Sequence, residues 1–232
     1  MLATGVDGCP YGWIAISRNG QDKPRARVCS TAAELLTAHP TPHALAIDIP
    51  IGLPDIGPRE CDKQARRLLG IRRNSVFPAP LRPMLRACSY TEACDIRFDI
   101  ERKRISKQAW GIMSKIAEVD AALRDEPSRQ GWVREIHPEL CFMAWNGGEP
   151  MAHAKKGTKG HAERRALVDS YFGQQAFSMV REQFLKKVAA DDDILDAFAA
   201  LWTAERIMSS QALVLPDPPS LDSEGLRMEM VY

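Results

Sequence analysis

The chain has 232 residues, 45% hydrophobic and 26% charged, with 31 Lys and Arg against 30 Asp and Glu for a net charge of +1. That length makes one large domain or two small ones, either able to bury a core without disulfides or a structural metal. Near-neutrality argues against a polycationic nucleic-acid coat protein but leaves room for local basic patches, and no apolar run is long enough to span a bilayer, so no membrane partner is expected.

The N-terminus, Met1-Leu2-Ala3-Thr4-Gly5-Val6-Asp7, has neither a basic leader nor a long apolar stretch and does not read as a secretory signal. The cysteines at 9, 29, 61, 88, 94 and 141 form no CxxC pair. Small thiols in a reducing cytoplasm fit them better than a zinc site.

Leu2–Asp7 is a short apolar strand, followed by turn chemistry in Gly8-Cys9-Pro10-Tyr11-Gly12. Trp13–Ser17 follows as a second strand, with Arg18-Asn19-Gly20 as its exit turn. Arg25–Ser30 alternates polar and apolar residues as a half-buried edge strand does. Three strands joined by short turns predict an antiparallel meander. Ser30 or Thr31 caps a short helix, Ala32–Ala38. Ala44–Pro50 is apolar on both alternating faces, which a central strand covered on both sides demands. The shift to strand–helix–strand spacing predicts a mixed sheet with helices packed over it.

From Gly57 to about Arg124 the pattern turns helical, interrupted by the proline-rich run Phe77–Pro83. With no linker composition around it, this section reads as an insertion or cap at about 57–125 within a single domain spanning 1–232. Trp110, Met113, Ile116, Ala117 and Val119–Ala121 predict a helix over Ser106–Leu123. Trp132–Ile136 is a short strand ended by His137-Pro138. A flexible Lys/Gly stretch, Lys155–Gly160, precedes helices at about His161–Tyr171 and Gln174–Ala189. The last long helix runs from about Asp192 to Ser209, and Leu226–Val231 alternates as a closing strand.

Carboxylates fall at structurally expensive places. Asp7 ends the first strand, Asp48 ends the central strand, Glu135 lies in the short strand, and Asp191-Asp192-Asp193 with Asp196 crowd the start of an apolar helix. Buried carboxylates need a cation or hydrogen bonds, and several together raise one another's pKa. A divalent metal resolves that conflict, because Mg2+ takes oxygen ligands and retains waters. Asp193 and Asp196 share a helix face, and Ala197, Ala200 and Ala204 are small enough to let this helix approach the sheet closely. The plainer reading is that first-turn acids cap free N–H groups and complement the helix dipole, and that Asp7 and Asp48 stabilise neighbouring turns.

Five segments then follow one another in order: Gly5-Val6-Asp7-Gly8-Cys9 with Gly12-Trp13, Ala46-Ile47-Asp48-Ile49-Pro50-Ile51-Gly52-Leu53-Pro54, Arg73-Asn74-Ser75-Val76-Phe77, Glu135-Ile136-His137-Pro138-Glu139, and Asp192-Asp193-Ile194-Leu195-Asp196-Ala197. Together they resemble an uncharacterised family of predicted nucleases with the ribonuclease H-like fold, the domain of unknown function 429 family. The resemblance implies an α/β fold: a mixed five-stranded sheet, antiparallel meander then parallel strands, flanked by helices. In the wider superfamily clustered acids hold two divalent ions. By position, the resemblance implies Asp7, Asp48, Asp193 and Asp196 as catalytic ligands of Mg2+ or Mn2+, with Glu135 as a further catalytic acid that not all members share. The implied chemistry is two-metal-ion hydrolysis of a phosphodiester, one ion activating water and the other stabilising the leaving oxygen.

Three basic clusters stand out: Arg59, Lys63, Arg66, Arg67, Arg72 and Arg73; Lys155, Lys156, Lys159, Arg164 and Arg165; and Arg102-Lys103-Arg104 with Lys107. Arg72, Arg73, Lys156 and Arg164 are the candidate contacts to substrate phosphate, and the third cluster reads as a solvated helix face. His137, beside a proline at a strand exit, reads as structural. The tryptophans read as core, since base stacking needs exposed rings. There is no Walker-type loop, dinucleotide fingerprint or GxSxG element.

The expected function is therefore a metal-dependent nuclease or phosphodiesterase acting on nucleic acid or a small phosphodiester. The alternative is a non-catalytic module on the same fold that binds nucleotide, nucleic acid or protein. Phosphoryl transfer from ATP is disfavoured, because such folds need two domains of this size. The hydrolase reading requires the remote acids to share one pocket, and a lysine or arginine already neutralising that pocket would count against it.

Overall fold

In the computed structural model, which describes residues 1–37 and 40–232, the strands β1 (Leu2–Cys9) and β2 (Gly12–Asn19) pair antiparallel, and β3 (Arg25–Cys29) adds to the outer edge of β2. Ala3, Val6, Ile14, Ala15 and Ile16 are all buried, so β1 and β2 are covered on both faces. Edge strand β3 exposes Arg25 and Arg27, charges that discourage pairing with another chain. β2 runs through Arg18 and Asn19, which the sequence assigns to a turn. Arg18 is kept in the strand by a two-point ion pair with Glu205, 2.5 and 2.6 Å, and the chain reverses at Gly20 instead.

Helix α1 (Ala32–Leu36) is capped by Thr31, whose hydroxyl accepts from the Glu34 N–H. Ala38, its expected last residue, lies outside the described residues. β4 (Ala44–Ile47) and β5 (Val133–Glu135) then add in parallel on the other side of β1, giving the order β3-β2-β1-β4-β5. This is a mixed five-stranded sheet flanked by helices, with wholly buried β4 inside it.

Between β4 and β5 the regular structure is helical: α2 (Glu60–Leu69), α3 (Tyr90–Glu101), α4 (Lys107–Gly111) and α5 (Met113–Asp125). Short 3-10 turns lie at Gly70–Ser75 and Arg82–Arg86. The helix expected over Ser106–Leu123 is broken at Ile112, directly after Gly111, whose bare backbone is a poor helix former. After β5 come α6 (Pro138–Trp145), α7 (Thr158–Phe172), α8 (Ala176–Arg181) and α9 (Asp191–Met208). The helix expected over Gln174–Ala189 stops at Arg181, whose guanidinium turns back to the carbonyls of Phe184 and Ala189 and closes the following loop.

Strand β7 (Arg227–Val231) pairs with β6 (Val214–Leu221) in a separate two-stranded sheet instead of closing the main one. β6 holds Pro216, Pro218 and Pro219, which cannot donate to a ladder, and its pairing lapses between Leu215 and Ser220. No helix among the described residues is long and apolar enough to cross a membrane.

Helix α9 is buried from Ile194 to Ala204 and lies directly on β1. A methyl group on Gly5 would sit 1.9 Å from the Leu201 nitrogen and 2.2 Å from the Ala197 carbonyl oxygen. Backbone meets backbone there, with Ala197 and Ala200 leaving the space open. Gly5→Ala must therefore push helix and sheet apart, at a cost of about 3 kcal/mol or more. Urea denaturation should show that loss, and an unchanged midpoint would refute the close approach.

Candidate acidic site

Asp7 lies near the end of β1 beside β4, where the Asp48 N–H donates to the Val6 carbonyl at 3.0 Å. The parallel β1–β4 pair thus delivers both aspartates to the same end of the sheet. Helix α9, seated on Gly5, brings Asp196 to that end from above. Asp7, Asp48 and Asp196 all line one cleft of about 640 Å3.

These carboxylates are poorly solvated. Asp7 is 8% exposed and Asp196 only 2%. Burial, then the charges of Asp48 and Asp196, hold the Asp7 carboxyl well above the usual range. Burial pushes Asp48 up to about 8, with Asp196 adding to the rise. Asp196 is also raised by burial, although the ammonium of Lys155 opposes it. Oδ1 of Asp7 accepts the Gly8 N–H at 2.7 Å, the turn-stabilising bond foreseen as its plainer role. Oδ1 of Asp196 is buried with no hydrogen-bond partner among the described residues.

The cation that meets this cluster belongs to the chain. Lys155 pairs directly with Asp196 and lies 3.9 Å from Asp192. The carboxylates raise its pKa despite burial, so it carries its charge throughout the ordinary pH range. Its loop is built for the purpose. Arg72 donates to the carbonyls of Met151 and Ala152 at 2.9 and 2.7 Å, and Glu163 accepts from the N–H groups of Ala152 and His153. Gly160 lets α7 press against Ala154, where a Cβ would lie 2.0 Å from the carbonyl oxygen.

The other expected site residues take different places. Glu135 lines the cleft, but not as a free carboxylate: both its oxygens accept from Arg59 at 2.7 Å, and one also accepts the Ile51 N–H. Arg59, 2% exposed, donates in turn to Asp62 and to the Ile51 carbonyl. The pair pins the segment that follows Asp48. Asp193 turns back to cap the Ala190 N–H at 2.8 Å and is absent from the cleft lining, although its charge still reaches Asp7. Asp191 pairs with Arg181 and Lys186, which hold its carboxyl below the usual range against burial.

Among the candidate phosphate contacts, Lys156 is exposed and lines the cleft. Arg72 also lines it, with its guanidinium engaged as the loop clamp described above. Arg73 is exposed and does not line the cleft. Arg164 is fully buried against Glu139, Nη2 to Oε1 at 2.5 Å, and is out of reach of a substrate. His137 sets Nε2 3.3 Å from the Ser75 carbonyl, and burial lowers its pKa, leaving a neutral ring. Its Nδ1 and Oε2 of Glu139 are further buried atoms with no partner among the described residues, and both residues line the cleft.

Lys155 and Arg59 are the contributors that sequence reasoning missed in these roles. Each sits in a run of similar basic residues, and nothing local distinguishes the one that turns inward. Among the described residues, no three His, Cys, Asp or Glu side chains already form a ligand set for a metal ion.

Fold and site define a mixed α/β protein with an acidic cleft at one end of its sheet. The model of the family described as Protein of unknown function (DUF429) matches residues 5–221, and the chain belongs to that family. No curated protein and no solved structure matches it.

The Asp48 shift has a sign that can be measured. The folded chain holds this proton up to about pH 8, whereas the unfolded chain releases it near 3.8. The native state therefore binds more protons between those values, and stability falls as pH rises through the window. Asp48→Asn removes the contribution, so from pH 5 to pH 8 the wild type should lose on the order of 2 kcal/mol that the variant keeps. Parallel urea titrations at the two pH values check this, and identical pH slopes would contradict it.

Proposed function

We propose that the cleft is the active site of a divalent-cation-dependent phosphodiesterase or nuclease. The observation that carries this reading is the charge balance of the floor. Asp7, Asp48 and Asp196 share one resident ammonium, and all three carboxyls remain raised in its presence. The negative charge is therefore under-compensated, a deficit that suits a doubly charged cation.

The residues fit Mg2+ or Mn2+. Their donors are carboxylate oxygens, the ligands these hard ions take. One oxygen of Asp196 is unpartnered, and Lys155 demonstrates that the position attracts a cation. Asp7, Asp48 and Asp196 would hold the metal, with Asp193 contributing charge. When bound, the ions, two in the ribonuclease H-like reading, supply an activated water and charge stabilisation at the leaving oxygen. The order β3-β2-β1-β4-β5, a meander continued by parallel strands, supports that reading of the fold.

The remaining roles belong to the chain. Once the carboxylates engage a metal, the ammonium of Lys155 becomes available to a phosphate oxygen, and exposed Lys156 offers a second contact at the mouth. Arg72 positions the Lys155 loop, and the Glu135–Arg59 pair positions the turn after Asp48. Both act through other groups and need not touch substrate.

The presence of Lys155 in the cluster also favours a second reading, a non-catalytic binding module with a permanent internal counter-ion. Turnover separates the two. Purified protein with Mg2+ or Mn2+ should hydrolyse a single-stranded oligonucleotide or bis(4-nitrophenyl) phosphate. Asp7→Asn should lower the rate by about a hundredfold or more, with circular dichroism and melting unchanged. Nucleotide binding that needs no metal and gives no turnover with either ion would replace the hydrolase by the binding module.

A further inference from the structure

The acidic floor is recessed, so a scissile phosphate has to descend between the cleft walls to reach Asp7 and Asp196. Those walls are largely apolar, and parts of them are left open to solvent. Phe77 is 45% exposed, Ile71 83% and Ile112 37%, and all three line the same cleft as the carboxylates. They come from separate places, the 3-10 turn after α2, the loop that follows it and the α4–α5 junction, yet converge on one space.

The backbone beside the ring is secured. Arg66 donates to the carbonyls of Arg73 and Val76 at 2.9 and 2.7 Å, and the Val76 side chain is buried at 1% exposure. Phe77 is thus presented from a held segment. Asn74 and Gln108 add side-chain amides to the lining, and Lys155 and Lys156 add cations at the floor and mouth.

Resting on the phosphodiesterase reading, we infer that the cleft takes its substrate as an unpaired nucleotide: the phosphodiester goes to the acidic floor, and the face of the base goes to Phe77, flanked by Ile71 and Ile112. An aromatic ring can stack only on a base whose face is uncovered, and in a duplex both faces are occupied by neighbouring bases. Duplex phosphates also stay on the outside of a rigid helix, where they cannot reach a recessed floor. The overall charge agrees. A chain of net charge +1 gains little from the phosphate backbone alone, and stacking supplies sequence-tolerant affinity that does not depend on a basic face. The amides of Asn74 and Gln108 suit the hydrogen-bonding edge of a base.

The test is equilibrium binding in EDTA, read by fluorescence anisotropy of labelled probes, so that hydrolysis does not enter. The probes are a single-stranded hexanucleotide, the same strand annealed to its complement, an abasic strand with equal phosphates, and a dinucleotide. The single strand should bind about tenfold tighter than the duplex and the abasic strand. Phe77→Ala should erase that preference, and Phe77→Trp should retain it. The position is half exposed, so both variants should fold.

Equal affinity for single strand, duplex and abasic strand overturns the inference, as does a Phe77→Ala protein that keeps the full preference. A dinucleotide that matches the hexanucleotide supports a small diester as the source of the nucleotide, and a hexanucleotide that binds better supports a polymer. Loss of the base preference leaves the Asp7→Asn turnover result standing on its own. A base preference in a protein without turnover would leave this inference intact while removing the hydrolase.

Discussion

The direct contact between Gly5 of β1 and the backbone of α9 sets the rest of the molecule. A side chain at that position would hold the helix away from the sheet, and the acids at the start of α9 would then face solvent. With only a hydrogen atom there, the helix settles onto the strand and Asp196 descends to the level of Asp7 and Asp48. The packing that buries the apolar face of α9 also desolvates the carboxylates, and that cost appears as their raised pKa values. The core and the site therefore share a single contact.

What makes the cluster tolerable is Lys155, and much of the neighbouring polar structure exists to keep that lysine in place. Arg72 and Glu163 grip the backbone of its loop from opposite sides, Gly160 lets α7 close over it, and buried Arg164 ties α7 to Glu139 of α6. Basic residues that look like a phosphate-binding surface in one dimension thus serve largely as internal fasteners. A flexible lysine suits the floor because its ammonium can move away without breaking the backbone contacts that hold the loop. The Glu135–Arg59 pair does comparable work on the opposite wall, where a buried ion pair with further bonds to Asp62 and Ile51 makes the turn after Asp48 rigid.

The sheet was legible in the sequence because hydrophobic period and turn chemistry are local signals. β1, β2, β3, β4, β5 and β7 all lie where alternation or apolar runs place them, while β6 was hidden by prolines that leave its ladder incomplete. Helix α6 was hidden as well: Pro138 reads as a strand terminator yet serves as the first residue of a helix, where its missing N–H costs nothing. Within the site, Asp7, Asp48 and Asp196 were legible from their positions at strand ends and a helix start. The partners of Glu135, Asp193 and Arg164 were not, because whether a charged side chain faces a ligand, a cap or a buried counter-ion depends on residues far away in the chain. Arg59 lies 76 positions before Glu135, and Lys155 lies 41 before Asp196.

The central claim is that the cleft floor, though it holds a lysine, attracts a doubly charged cation. Anomalous scattering from crystals soaked in Mn2+ addresses it without reference to any substrate. The account predicts a peak bounded by the carboxylates of Asp7, Asp48 and Asp196, with the Lys155 ammonium displaced from Asp196. Density at full soak with Lys155 still paired to Asp196 and no manganese between the three aspartates would contradict it.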